Sequence, residues 1–103
     1  MHEKRAYSRS VVRIPVTCTT EGGASLTGFT RDISTGGVFI EGSDIPAFGT
    51  RVTLVLEVAG LSDLKIPGIV RWTKVDGFGL QFQLLGARET HALALIVSKN
   101  PHP

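Results

Sequence analysis

The stretch VVRIPVTCTT, residues 11 to 20, sets Val12, Ile14, Val16 and Cys18 against Arg13, Pro15, Thr17 and Thr19. A repeat of two is the period of an extended strand with one buried face. The pattern returns in RVTLVLEVAG, where Val52, Leu54, Leu56 and Val58 share a face, and in FGLQFQLL, where Phe78, Leu80, Phe82 and Leu84 do. SLTGFTRDIS, VFIEG and LKIPGIVRWTKV read as further strands. Turn formers separate them: EGG at 21 to 23, TGG at 35 to 37, SDIPAFGT at 43 to 50 and a tight DG turn at 76 to 77. Pro15 suggests a sheet edge or a bulge, and Pro67-Gly68 a bend in the long strand. So many short alternating segments, turning so often, describe antiparallel β-structure.

The last segment changes period. ARETHALALIVSKN has no Gly or Pro inside it and is rich in Ala and Leu. It reads as a helix of about three turns, a common length, stopped by Pro101 and covering an open end or one face of the sheet. Short strands, frequent turns and one terminal helix together predict a small antiparallel β-barrel. The 103 residues suit one domain: a flexible basic arm over 1–9, a barrel over 10–86 and the helix over 87–100.

Charge is uneven along the chain. Eleven Lys and Arg against nine Asp and Glu give a net charge of +2, too mild for a general nucleic-acid binder. Yet Lys4, Arg5, Arg9 and Arg13 crowd into the first 13 residues, with only Glu3 against them. A local cationic cluster on a nearly neutral protein suits a small anionic ligand. No apolar run is long enough to span a membrane, and no apolar region follows the basic start as in a secretion signal. Cys18 is the only cysteine, reads as core, and has no disulfide partner. These features fit a small cytoplasmic, bacterial-type module.

Catalytic chemistry is not advertised. His2, His91 and His102 share no metal-ligand spacing. Ser8, Ser10, Ser34 and Thr35 have no neighbouring base. Asp32, Glu41, Asp44 and Asp63 are scattered and suggest no acid–base pair. Arg13 and Arg31 read as solvated strand faces. The expectation is therefore a binding protein without catalytic activity, metal or cofactor.

Two short motifs remain. DISTGG, residues 32 to 37, follows one strand and precedes another. As a turn, its Asp and Ser bond local backbone N–H groups and its glycine takes positive φ. The same geometry presents the Asp32 carboxylate and the Ser34 hydroxyl from a strand end, beside glycines that admit a flat ligand. Guanine carries two donors, N1–H and its 2-amino group, that one carboxylate can accept together; adenine carries neither there. RAYSR, residues 5 to 9, spaces two arginines three residues apart. An arginine fork donates to guanine O6 and N7 and grips phosphate bidentately.

RxxxR near the start, then a strand, DxSxxG, GIVRW, GFGLQF and a closing helix resemble the PilZ domain over essentially the whole chain. PilZ domains are bacterial receptors for cyclic di-GMP, so the resemblance implies a six- or seven-stranded antiparallel barrel with a C-terminal helix. It also implies that Arg5 and Arg9 contact phosphates and guanine, that Asp32 and Ser34 contact a guanine edge, and that Gly37 shapes the turn beneath. Gly36 belongs to the same turn. Lys4 stands where many family members carry an arginine that favours a stacked ligand dimer; lysine binds phosphate only as a point charge. Trp72 and Lys74 lie on a strand near the ligand in some relatives, and Trp72 reads equally as core or rim packing. The expected mechanism is a basic arm that orders over the ligand and changes the surface shown to a downstream protein partner. Two alternatives stand beside it: a PilZ-like adaptor without ligand, and a small nucleic-acid-binding barrel. The latter needs aromatics interleaved on a basic face, whereas most Phe here sit at core-type positions.

Overall fold

The computed structural model describes residues 10–60 and 63–99. In chain order these form β1 (Pro15–Thr20), β2 (Ser25–Ile33), β3 (Gly37–Glu41), β4 (Arg51–Leu56), β5 (Ile66–Lys74), β6 (Gly77–Phe82) and α1 (Ala87–Lys99). The strands close in the order β1-β2-β3-β6-β5-β4, and every neighbouring pair is antiparallel. The six-stranded barrel with a C-terminal helix is thus present.

Alternation fills the interior. Val16 and Cys18 of β1, Val52, Leu54 and Leu56 of β4, Val70 of β5, and Phe78 and Leu80 of β6 are all buried. Burying one such large side chain is worth roughly 1.5–3 kcal/mol. Leu93 and Ile96 of α1 join the same cluster. The helix closes the end of the barrel at which β1 begins and β2 finishes. Burial pushes the Cys18 thiol up to about 12, leaving it an inert apolar group.

Several expected boundaries move, each for a local reason. β1 starts at Pro15, not Val12, because the buried Thr30 side chain takes over the preceding backbone. Its hydroxyl donates to the Val12 carbonyl and accepts the Ile14 N–H at 2.9 Å. Pro15 is not at an edge, for the barrel has none; it is the first strand residue, where a missing N–H is tolerated. Pro67-Gly68 does not break β5. The Pro67 carbonyl accepts from Gln83 N–H at 2.9 Å, beyond the end of β6. The reversal between β5 and β6 uses Val75-Asp76, with Gly77 already paired to Lys74. Leu84 is 98% exposed, because β6 ends at Phe82.

Candidate functional site

Two bulges decide which side chains face outward. On β2, Thr30 pairs with Ile40 and Asp32 with Phe39, so Arg31 is the extra residue. On β5, Val70 pairs with Leu80 and Trp72 with Gly79, so Arg71 is the extra one. Thr30 and Val70 point into the core at 1% and 0% exposure. Unbroken alternation would send Asp32 and Trp72 in after them; the bulge reverses the parity. Phe39 and Gly79 face each other across β3 and β6. The result is one row over four strands on the outer wall: Asp32, Phe39, Gly79, Trp72. Gly79 is needed there, since a Cβ would stand 2.4 Å from Trp72 Cε3. The indole lies across the strand where a side chain would otherwise rise.

Beyond Asp32 the chain is tightly held. Ser34 is 1% exposed. Its Oγ accepts the N–H groups of Gly36 and Gly37, both at 3.1 Å, and lies 3.3 Å from the Gly37 carbonyl. Of the two readings of the motif, the hydroxyl takes the turn's: three backbone groups converge on it. Nor do Gly36 and Gly37 use positive φ, which among the described glycines belongs to Gly23, Gly49 and Gly60. Gly37 is required by close approach, as a Cβ would come within 2.5 Å of the Leu80 carbonyl oxygen.

Ser10 fixes the other side of the turn. It bridges Ile33 through paired backbone bonds of 2.8 and 3.0 Å. Its buried hydroxyl donates to the Val97 carbonyl at 2.9 Å, satisfying one of the orphan carbonyls at the end of α1. One residue therefore ties the start of the domain to β2 and to the helix. Nothing in the local sequence around Ser10 signals this role.

The basic residues beside the row are paired, not simply solvated. Arg31 donates from Nε to Glu41 Oε2 at 2.8 Å and from Nη2 to Asp76 Oδ2 at 2.7 Å. Arg13 meets the other oxygen of Glu41 at 2.9 Å. Arg31 lies over the Phe39 ring at 4.5 Å and Arg13 over Phe29 at 4.2 Å. The Lys74 ammonium stands 5.7 Å from the Phe39 ring centre. Phe29 and Phe39 thus serve as platforms for cations on the outer wall. The Arg31 hydrogen bonds hold the carboxyls of Glu41 and Asp76 below the usual carboxylate range, with Arg13 adding to the effect at Glu41.

Arg31, Asp32, Val38, Phe39, Trp72, Lys74 and Gly79 line one cavity of about 380 Å³. Of the expected site residues, the structure gathers Asp32, Trp72 and Lys74 there, with Gly36, Gly37 and Ser34 in the adjoining turn. Arg5, Arg9 and Lys4 lie outside the described residues. Trp72 is 56% exposed and not in the core. Sequence reading passed over Arg31, Phe39 and Gly79, whose position follows from the bulges. A larger cavity of about 600 Å³ lies on the neighbouring wall, around Arg13, Phe29 and Glu41; it contains no residue of either motif. Among the described residues no cluster of three or more His, Cys, Asp or Glu stands together, and no helix is long and apolar enough to cross a membrane.

Solved structures share this architecture. The PilZ domain of YcgR from Escherichia coli, determined with cyclic di-GMP, aligns with a TM-score of 0.78 at 11% identity, covering 95% of this chain and 92% of that one. The PilZ domain of CeSA from a cellulose-synthesizing bacterium aligns at 0.74 and 22% identity, covering 88% and 95%. The Bacillus subtilis inhibitor of motility, MotI/DgrA, aligns at 0.74 and 19% identity over 95% of this chain; this chain spans 51% of its length. Comparison with curated protein sequences finds no match. The PilZ domain family model matches residues 3–98, a span that holds both motifs, all six strands and nearly all of the helix, and the chain belongs to the PilZ domain family.

Proposed function

We propose that this protein is a receptor for cyclic di-GMP, acting by binding and not by catalysis. The observation that carries the reading is the bridge between Ser10 and Ile33. Arg9 precedes Ser10, and Asp32 precedes Ile33. The residue that follows the first motif is thus bridged to a residue inside the second, and Asp32 lines the same cavity as Trp72 and Lys74. The family match and the likeness to a PilZ domain solved with this ligand support the same reading.

Asp32 accepts N1–H and the 2-amino group of one guanine. Arg5 and Arg9 grip phosphate and the opposite guanine edge. Ser34, Gly36 and Gly37 hold the turn that aims Asp32. Trp72 offers a stacking face, and Lys74 a point charge for phosphate. The cavity is at the small end of the roughly 300–1,000 Å³ usual for small-molecule sites. It takes one guanine-bearing half, leaving the rest to the RxxxR segment. Lys4 favours a stacked dimer of ligand. Binding changes the surface around the motifs, which a downstream protein partner in the bacterial cytoplasm reads.

Calorimetric titration with cyclic di-GMP tests this directly. Saturable binding is expected, lost on Asp32→Ala or Arg9→Ala and far weaker for cyclic di-AMP. Equal affinity for the two cyclic dinucleotides, or no binding at all, would overturn it.

A further inference from the structure

The bulge on β2 places Arg31 beside Asp32, opposite the same Phe39, and both line one cavity. Arg31 is not free to wander. Glu41 holds its Nε and Asp76 holds one hydrogen of Nη2, while Phe39 supports its face at 4.5 Å. Among the described residues, Nη1 carries neither carboxylate. Beyond those two bonds the guanidinium keeps three N–H donors, two of them on Nη1.

The six-membered ring of guanine presents, in order, an acceptor at O6, a donor at N1 and a donor at the 2-amino group. A carboxylate answers the two donors and leaves O6 facing whatever stands next to it. The guanidinium of Arg31 lines the same cavity as Asp32. We infer that Arg31 is a specificity residue of the cyclic di-GMP site, donating from Nη1 to O6 of the guanine that Asp32 holds by its donors. Glu41 and Asp76 are positioning residues that keep the fork in place. Adenine would fail twice, since its 6-amino group sets donor against donor at Arg31 and its N1 sets acceptor against acceptor at Asp32. A site built on polar pairing rejects the wrong base by leaving such groups unsatisfied. This inference rests on the cyclic di-GMP reading above and adds to it the group that recognises position 6.

The test uses cyclic di-GMP and its analogue with 6-thioguanine, which keeps both donors but carries sulfur, a poor acceptor, at position 6. Calorimetry on the full chain should show that Arg31→Ala weakens cyclic di-GMP binding by roughly tenfold to a hundredfold, the range of a good arginine–guanine contact. The same substitution should change binding of the thio analogue several-fold less. Asp32→Ala should penalise both ligands alike. Glu41→Gln and Asp76→Asn should reproduce the Arg31 pattern at smaller size, a selectivity that general loosening of the barrel would not produce. Where Arg31→Ala lowers the melting temperature, Arg31→Lys keeps a charge between the carboxylates, lacks Nη1 and should show the same discrimination. Equal losses for the two ligands in the Arg31 variants would overturn the assignment while leaving the receptor intact. Failure of the unaltered protein to bind cyclic di-GMP would overturn both.

Discussion

The two bulges use one backbone device to opposite ends. On β2 the displaced residues are clamped: Arg31 by two carboxylates and a ring, the following turn by the buried Ser34, and Ile33 by Ser10. On β5 they are loosely held. Arg71 has a hydrogen bond to Gln81 at 2.9 Å, Trp72 is half open, and Val75 at the hairpin tip is 98% exposed. On the proposed cyclic di-GMP reading, the difference would separate two tasks in recognition. Polar edges must be met within tenths of an ångström, whereas a ring face tolerates sliding. Rigidity is thus concentrated on the side proposed to meet hydrogen-bonding edges, and freedom on the side proposed to stack.

Substitutions on the two sides should therefore behave differently. The largest effect is expected for Asp32→Ala, which would remove the two hydrogen bonds proposed to guanine, each worth roughly 1.5–3 kcal/mol for a charged acceptor. Cyclic di-GMP affinity should fall at least about a hundredfold by calorimetry. Next comes a matched pair of glycines. Gly37→Ala drives a methyl against the backbone at Leu80 and should cost about 1–3 kcal/mol in urea unfolding, the usual range for overpacking. Gly79→Ala meets the exposed indole instead; the ring can swing away, so stability should drop less while Trp72 fluorescence shifts. Equal destabilisation by the two would erase the contrast between clamped and loose. Smaller again is Trp72→Ala. It should weaken binding about tenfold, in line with the roughly 1–3 kcal/mol of a base–aromatic stack, and leave thermal unfolding nearly unchanged.

The smallest effect is acidic. The carboxyls of Glu41 and Asp76 are both depressed by Arg31, so their pairing stabilises the fold fully above the ordinary carboxylate range. It fades as pH falls through the lowered native values. Unfolding midpoints should thus be flat near neutrality and decline below about pH 4. Replacing both residues, Glu41→Gln with Asp76→Asn, should shrink that decline slightly. An unchanged acid limb would show that the network orients Arg31 without supporting the barrel.

Where alternation runs unbroken, as in β4, the sequence pattern and the buried face agree residue for residue. The helix, too, announced itself by its change of period. What escaped was every place where one residue breaks the count. GIVRWTK alternates on paper, so Val70 and Trp72 look like partners on one face; the extra residue at Arg71 leaves no mark in hydrophobicity. The same holds for Arg31, which reads as a surface charge until Glu41 arrives from β3 and Asp76 from the turn between β5 and β6. Ser10 escaped for a related reason, since both its partners, Ile33 and Val97, are long-range. Local chemistry was readable, as in the turn of DISTGG, though not the direction in which Ser34 points.

Closure of the six described strands has a consequence for how a protein partner could dock on this barrel. Each strand already has two neighbours, so the ladder has no vacant side onto which a partner could add an extended segment. Recruitment by strand addition, which relies on main-chain bonds and is indifferent to much of the sequence, is closed to this barrel. A partner docking on the described strands would meet side chains and not an open ladder. Substitutions on the outer walls can then retune which proteins respond without touching the pairing that keeps the domain folded.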